Sequence, residues 1–349
     1  MTSTMMRSVV CLILLFGILS TTGVAANKNR IGTAGAQELL IPVGAAGVAI
    51  GGSSGVFLTG INSLYYNPAG LGRMPGSFEA TFSQMSYIAD ISVTYGAVGI
   101  KVGEFGNIAF SLKSIGFGSI PVTTVDYPDG TGSSYSPTYL TLGMSYSRLL
   151  TDRISFGATA YLVSEKILNM SASGLSFDIG IQYHNLGIKG LMLGIAVKNI
   201  GPNMTYSGSD ALVRADVSGT TRGTQPYAVQ MAGFEMPTMM EIGVAYSPKL
   251  DDMNAVTVSG LFRNNNYLDD EYQVGAEYGF NKMFFVRGGY ALSPQTDKDP
   301  TGGKGYIYGF TGGAGIRYTL SDVTLSVDYA YRAVKYFDGN HVITVGIGL

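Results

Sequence analysis

The sequence predicts an all-β protein: a 14-stranded antiparallel transmembrane β-barrel preceded by a short N-terminal segment. Three observations lead there. The composition is apolar and aromatic without being helical. A period of two in side-chain character runs from Ser77 to the last residue. The connections between the alternating segments are short and long in turn. Only 13% of the 349 residues are charged, where a soluble domain carries about 25%. Gly contributes 49 residues, Tyr 23 and Phe 16, while Trp is absent and His appears twice. A disordered chain would be richer in charge and poorer in aromatics. A helical membrane protein would show several runs of about 20 apolar residues, and here there is one. Lys and Arg number 22 against 24 Asp and Glu, a net charge of −2. That balance provides no basic footprint for a nucleic acid.

The single apolar run opens the chain. Arg7 precedes Val9 to Ser20, and Thr21-Thr22-Gly23-Val24-Ala25-Ala26 follows. A basic start, a short apolar stretch and small residues at −3 and −1 describe a secretory signal peptide over 1–26, cleaved after Ala26. The run is too short, and lacks the following basic stop, for a membrane anchor. Cys11 lies inside it with Val10 before it, which does not fit a lipoprotein signal. The mature chain therefore has no cysteine. Removing Arg7 leaves 21 basic against 24 acidic residues, too even a balance to predict a charged partner.

Residues 27–76 are rich in Gly, Ala and Ser and read as a compact segment. From 77 to 349 the alternation takes over. In 306–320, Tyr306, Tyr308, Phe310, Gly312, Ala314, Ile316, Tyr318 and Leu320 fall on one face, with small and polar residues on the other. In 323–333, Val323, Leu325, Val327, Tyr329 and Tyr331 oppose Thr324, Ser326, Asp328, Ala330 and Arg332. In 271–280, Tyr272, Val274, Tyr278 and Phe280 oppose Glu271, Gln273, Gly275 and Glu277. A soluble sandwich would charge and hydrate its polar face. Here that face is Gly, Ser and Thr with few ions, as in a lumen, and the bulky face suits lipid. The expected interior is therefore small-residued and wet.

Fourteen such segments can be marked: 77–88, 90–103, 105–118, 137–149, 152–165, 173–185, 190–200, 236–247, 253–263, 269–280, 283–292, 306–320, 322–334 and 340–349. Most have the length of a tilted membrane-crossing strand. The connections after the second, fourth, tenth and twelfth are tight, at Gly103-Glu104-Phe105, Leu150-Thr151-Asp152, Asn281-Lys282 and Ser321. Those after the third and seventh are long, 119–136 and 201–235, and 293–305 is of intermediate length. Short turns on one rim and long loops on the other organise outer-membrane barrels, and an even count returns both ends to the periplasmic rim. The first hairpin, near Ala89, is tight on the loop side and breaks the pattern.

Before the first strand, Asn67-Pro68-Ala69-Gly70-Leu71 follows a Gly-rich stretch. Asn favours the N-cap and Pro the first helical position, and Pro also steers Asn67 away from helical backbone. So 67–74 reads as a capped turn. GTAGAQ-LL-IPVGA at 32–45, together with YYNPAGL at 65–71, resembles the PorV/PorQ family, within the wider FadL-like group of outer-membrane barrels. One departure is Ala46, where members of the family often carry an arginine, so that residue's contact does not carry over. The resemblance implies that the N-terminal segment folds into the barrel as a hatch, and that the protein sits in the outer membrane of a Gram-negative-type bacterium among its lipid. It implies a component of a type IX secretion pathway that binds or shuttles exported proteins, with cargo or a secretion channel as partner. The wider group implies the alternative, uptake of small hydrophobic molecules such as fatty acids and aromatics. The closer match at 32–45 puts the first ahead.

Charges expected to face the lumen are Lys113, Asp178, Lys198, Glu241, Arg263, Glu271, Glu277, Arg287, Arg317, Asp328 and Arg332. Their mixed signs suit cross-strand pairing rather than a filter, which would need a ring of one sign. No enzyme and no cofactor are expected. The two histidines, His184 and His341, are assigned to opposite rims without a nucleophile beside them. The mature chain also lacks cysteine and paired-histidine spacing for a metal. Gly51-Gly52-Ser53-Ser54-Gly55 lacks the lysine of a phosphate loop. The third strand ends Gly116-Phe117-Gly118-Ser119-Ile120-Pro121. Gly116, Gly118 and Pro121 would permit a kink, and in FadL-like barrels a kink in this region opens the wall laterally. The other outcome is a strand that simply stops at a long loop. The apolar content of 201–235, with Met204, Tyr206 and Phe234, suggests a loop that packs over the mouth or meets a partner.

Overall fold

A computed structural model describes residues 30–216, 223–294, 296 and 305–349. The expected signal peptide lies outside the described residues. Fourteen long strands form the wall: β1 Phe78–Ser86, β2 Ser92–Val102, β3 Gly106–Gly116, β4 Thr138–Leu149, β5 Ile154–Ile167, β6 Met170–His184 and β7 Leu191–Ile200. They continue with β8 Met239–Tyr246, β9 Asn254–Asn265, β10 Glu271–Phe280, β11 Phe284–Leu292, β12 Tyr308–Leu320, β13 Val323–Val334 and β14 Asn340–Gly348. Each pairs antiparallel with its sequence neighbours, and β1 pairs with β14, Phe82 opposite Val345, which closes the barrel. Closure leaves no strand edge unpaired in lipid. The turns after β2, β4, β6, β8, β10 and β12 gather at one rim with both barrel ends, where Ser77 N donates to Leu349 O at 2.6 Å. Asn281 and Lys282, both at positive φ, make the tight turn between β10 and β11. The long loops occupy the other rim. There Ile120–Pro121 pairs with Ser134–Tyr135, and Leu212–Ala215 with Gln225–Ala228.

The outer face carries the bulky residues. Phe82, Val98, Phe110, Val286, Phe310, Leu325, Val327, Tyr329 and Ile343 are all exposed around the cylinder. Two tyrosines depart from the expected face. A one-residue register shift between Tyr308 and Thr311 reverses the parity of the upper part of β12. The bulge turns Tyr308 inward, where its hydroxyl meets that of Tyr87 at 2.7 Å, and Tyr306 and Tyr308 both line the interior.

Nor is the interior uniformly small and wet. Met85, Val93, Tyr95, Ile115 and Val342 point inward and are buried. They have a partner there: Val43, Val48, Ile61, Leu64, Tyr65, Tyr66 and Leu71 of the N-terminal segment complete one apolar core with them. That segment runs the length of the lumen. At the loop rim, Gly35 N donates to Glu235 O, and Arg30 pairs with Glu235 at 2.6 Å. A short helix, α1 Ala45–Ala49, then packs against β11 to β14. Ala45 N donates to Thr344 Oγ1 at 2.8 Å, and Thr311 Oγ1 donates to Ala49 O at 3.0 Å. Lower down, Gln182 Nε2 donates to Gly55 O, and at the turn rim Arg73 donates to Asp152 O at 3.1 Å.

Candidate functional site

The Asn67-Pro68 turn shows how the segment is seated. Asn67 is extended, and its Oδ1 accepts from Ala69 N at 3.0 Å, capping a 3-10 turn over Pro68–Arg73. Its Nδ2 reaches the wall carbonyls of Ile181 and Ile195 at 3.2 and 3.3 Å. Ala69, Gly70 and Leu71 are buried behind it, and Asn107 Nδ2 donates to Leu71 O at 2.6 Å. The wall opposite is glycine where the chain comes closest. A Cβ at Gly157 would overlap the Pro68 backbone, and one at Gly180 would overlap the Asn67 amide.

The lumenal charges form two separate groups. Lys198 lies 3.9 Å from Glu241, which also holds Arg263 at 2.8 Å, and Arg263 holds Glu271 at 2.9 Å. Arg287 bridges Glu277 at 2.6 Å and Asp328 at 2.5 Å. Lys113 donates to the main-chain oxygens of Glu38 and Ile41, and so fastens the N-terminal segment to β3. Asp178 accepts from Asn199 N at 2.7 Å. Arg317 is exposed at the turn-rim end of β12, its guanidinium 5.1 Å from the Phe285 ring centre, and takes no part in either group. Arg332 stands apart at the loop-rim end of β13, 4.0 Å above the Tyr308 ring.

Of the two outcomes open at the end of β3, a kink and a strand that stops at a loop, the structure has the second. Its ladder is continuous to Gly116, paired with Ser92 on one side and Thr138 on the other. Gly118 and Pro121 lie beyond the strand end, and Pro121 enters the small loop hairpin. Both neighbours hold their register, so Gly116 ends a strand and opens no gap there.

Above α1 the packing leaves a cavity of about 330 Å³ between the segment and the loop-rim half of the wall. Its sides are Tyr65, Tyr87, Phe117, Tyr139, Tyr306 and Tyr308, with Leu40, Ile41, Pro42 and Val48 from the segment. Its polar groups are Gln37, Glu38, Arg263, Asn265, Glu271, Gln273, Thr311 and Arg332. Glu38 was not singled out by the sequence. It is buried, and neither carboxylate oxygen has a hydrogen-bond partner. Burial, reinforced by the Glu165 carboxylate, lifts its pKa to about 8. Tyr206 from the long loop donates to Glu165. Glu165 had a signal: it shares its strand face with Ser155, Gly157 and Thr159. Glu38 had none beyond being a lone charge in an apolar stretch. The mouth beside it is covered by Met204 and Met236, which pack on Ala36, Leu39, Val163 and Ala172. Tyr227 and Met231 of the same loop remain exposed. His184 and His341 sit at opposite rims, His341 Nδ1 2.8 Å from the Tyr329 hydroxyl.

The shape of the whole barrel matches solved transport proteins. The Pseudomonas putida toluene transporter TodX aligns with a TM-score of 0.55 at 14% identity, covering 87% of this chain and 96% of that one. The chain has their fold. The CymD monoaromatic hydrocarbon channel aligns at 0.54 with 13% identity, over 88% of this chain and 97% of that one. The Ralstonia pickettii toluene transporter TbuX aligns at 0.51 with 13% identity, over 87% and 96%. No protein-family model matches the sequence. No curated protein matches it either. These neighbours bear the names of hydrocarbon channels and transporters, which accords better with the uptake alternative than with the secretion reading that the sequence put first.

Proposed function

We propose that the protein is an outer-membrane channel for small hydrophobic molecules, with residues 27–76 as a hatch and 77–349 as the barrel. The carrying observation is the aromatic-walled cavity between the N-terminal segment and the mouth. A ligand pocket is concave, mostly apolar and furnished with a few placed polar groups, and this one has all three features. Its floor is the segment itself, so a molecule entering from the loop rim is stopped there and passes only if the segment shifts. The similar fold of toluene and monoaromatic hydrocarbon channels supports this reading. Kinship with the PorV/PorQ branch rests on the motifs at 32–45 and 65–71 alone. A cargo shuttle needs exposed apolar loop surface, of which Val125 and Tyr127 are examples, but has no use for an aromatic-walled pocket.

The test is binding of toluene to the purified barrel in lipid nanodiscs, followed by ligand-observed NMR. Ala291 points into the cavity from β11. Ala291→Phe fills the space and should abolish toluene binding while the barrel still folds. Toluene binding that survives the substitution, or repeated co-purification of exported proteins without any apolar small molecule, would overturn the proposal.

A further inference from the structure

Among the described residues, the cavity holds one charge that no carboxylate balances. Arg263 lies between Glu241 and Glu271 and is neutralised by them. Glu271 is thereby spent, and burial keeps Glu38 largely protonated at neutral pH. Arg332 has no carboxylate of the described residues within ion-pair distance. The Asn340 amide oxygen, in the orientation that satisfies its surroundings, accepts from Arg332 Nη2 at 2.7 Å and Nε at 3.1 Å. The other neighbours are the side chains of Tyr308 and Tyr87, whose rings lie 4.0 and 5.9 Å from the guanidinium carbon, and the Tyr87 hydroxyl also accepts a hydrogen bond from Arg332. Beside it, the Tyr87 and Tyr308 hydroxyls share one hydrogen bond, which leaves one phenolic proton free to be donated. A guanidinium and a phenol therefore stand together at one end of a cavity whose remaining wall is aromatic.

We infer that the ligand is an aromatic ring bearing a carboxylate, with Arg332 and the Tyr87–Tyr308 hydroxyl pair receiving the carboxylate and the ring lying among Tyr65, Phe117, Tyr139 and Tyr306. This rests on the pocket reading above and narrows its ligand class. Two features select the chemistry. Arg presents a planar fork that matches a carboxylate; Asn340 takes the Nε–Nη2 edge and, with the rings, holds the group flat, which leaves the Nη1–Nη2 edge for the ligand. The aromatic walls favour offset and edge contacts with a flat ring. A neutral hydrocarbon would fill the same space and leave the guanidinium unanswered.

Benzoate and toluene, equal in ring and differing in the charged head, are the probes. Each is titrated calorimetrically into the nanodisc-embedded barrel and its variants. The expected result is that wild type binds benzoate more tightly than toluene. Arg332→Gln should weaken benzoate roughly tenfold to a hundredfold, the value of a charged hydrogen bond, and weaken toluene far less. Arg332→Lys should recover part of the benzoate affinity. Heat-modifiable gel mobility equal to wild type certifies that the Gln variant is folded. Benzoate binding that is indifferent to Arg332→Gln, or weaker than toluene in wild type, overturns the inference while sparing the pocket. Benzoate binding that persists in Ala291→Phe places it outside the cavity and also overturns it. Absence of binding by both probes overturns the pocket and the inference together.

Discussion

At the scale of single residues, the buried Glu38 carboxyl makes the sharpest statement. It is in the N-terminal segment, near Glu165 and Lys113, and its own oxygens have no hydrogen-bond partner. Its pKa rises from an ordinary 4.5 to about 8, first through burial and then through Glu165. The folded protein thus holds a proton that the unfolded chain has released, over the interval between those values. Stability should fall as pH rises from about 4.5 to 8 and stay low above it, because folding then buries a charge. Glu38→Gln removes the titrating group and keeps the shape. Thermal unfolding, followed by loss of the heat-modifiable band between pH 5 and 9, should be flatter in the variant, which should be the more stable protein above pH 8. Equal pH profiles for the two would show that Glu38 is solvated. Lys113 keeps its bonds to the main chain in either case.

Among elements, the decisive contact is that of α1 with the inner wall. A Cβ at Gly289 of β11 would overlap the backbone of Ile50 and Gly51, so the wall is glycine where the segment presses on it. Gly289→Val should push the segment from its seat while sparing a strand that favours β-branched residues. Planar-bilayer recordings should then show ion conductance well above that of wild type, whose lumen the segment fills. A conductance equal to wild type would mean that the segment does not seal the barrel. How much of this was legible follows from where each signal resides. All fourteen strands were readable, because lipid outside and a lumen inside impose period two on every crossing. Asn67-Pro68 was readable because capping is local chemistry. Tyr306 and Tyr308 were misplaced, since a bulge at Gly309–Phe310 shifts parity by one and alternation alone cannot register it. Inward Met85, Tyr95 and Ile115 escaped notice for a related reason: their partners lie in a segment remote in sequence. The cavity was invisible because its walls come from β3, β4, β9 to β13 and residues 37–66 at once.

For the molecule as a whole, the outward and inward faces must meet different solvents. Val327 is exposed on the outer face midway along β13, between inward Ser326 and Asp328, and Asp328 is held by Arg287. If the outer face meets hydrocarbon, a cation there must be drawn into lipid when the barrel inserts. The cost at mid-bilayer is about 2–4 kcal/mol for Arg or Lys in barrels of this kind. Val327→Arg should therefore lower the free energy of folding into phospholipid vesicles by about that amount, measured by denaturant titration of the heat-modifiable band. In detergent micelles, where a long side chain can reach water, the penalty should shrink. The comparison isolates the membrane, because the substitution alters no contact in the lumen. Were Val327→Arg to fold into vesicles as readily as wild type, this face would not lie in hydrocarbon. The lumenal pocket would then have to be explained in a barrel that stands in water, where the proposed ligand would gain nothing from a wall that faces lipid.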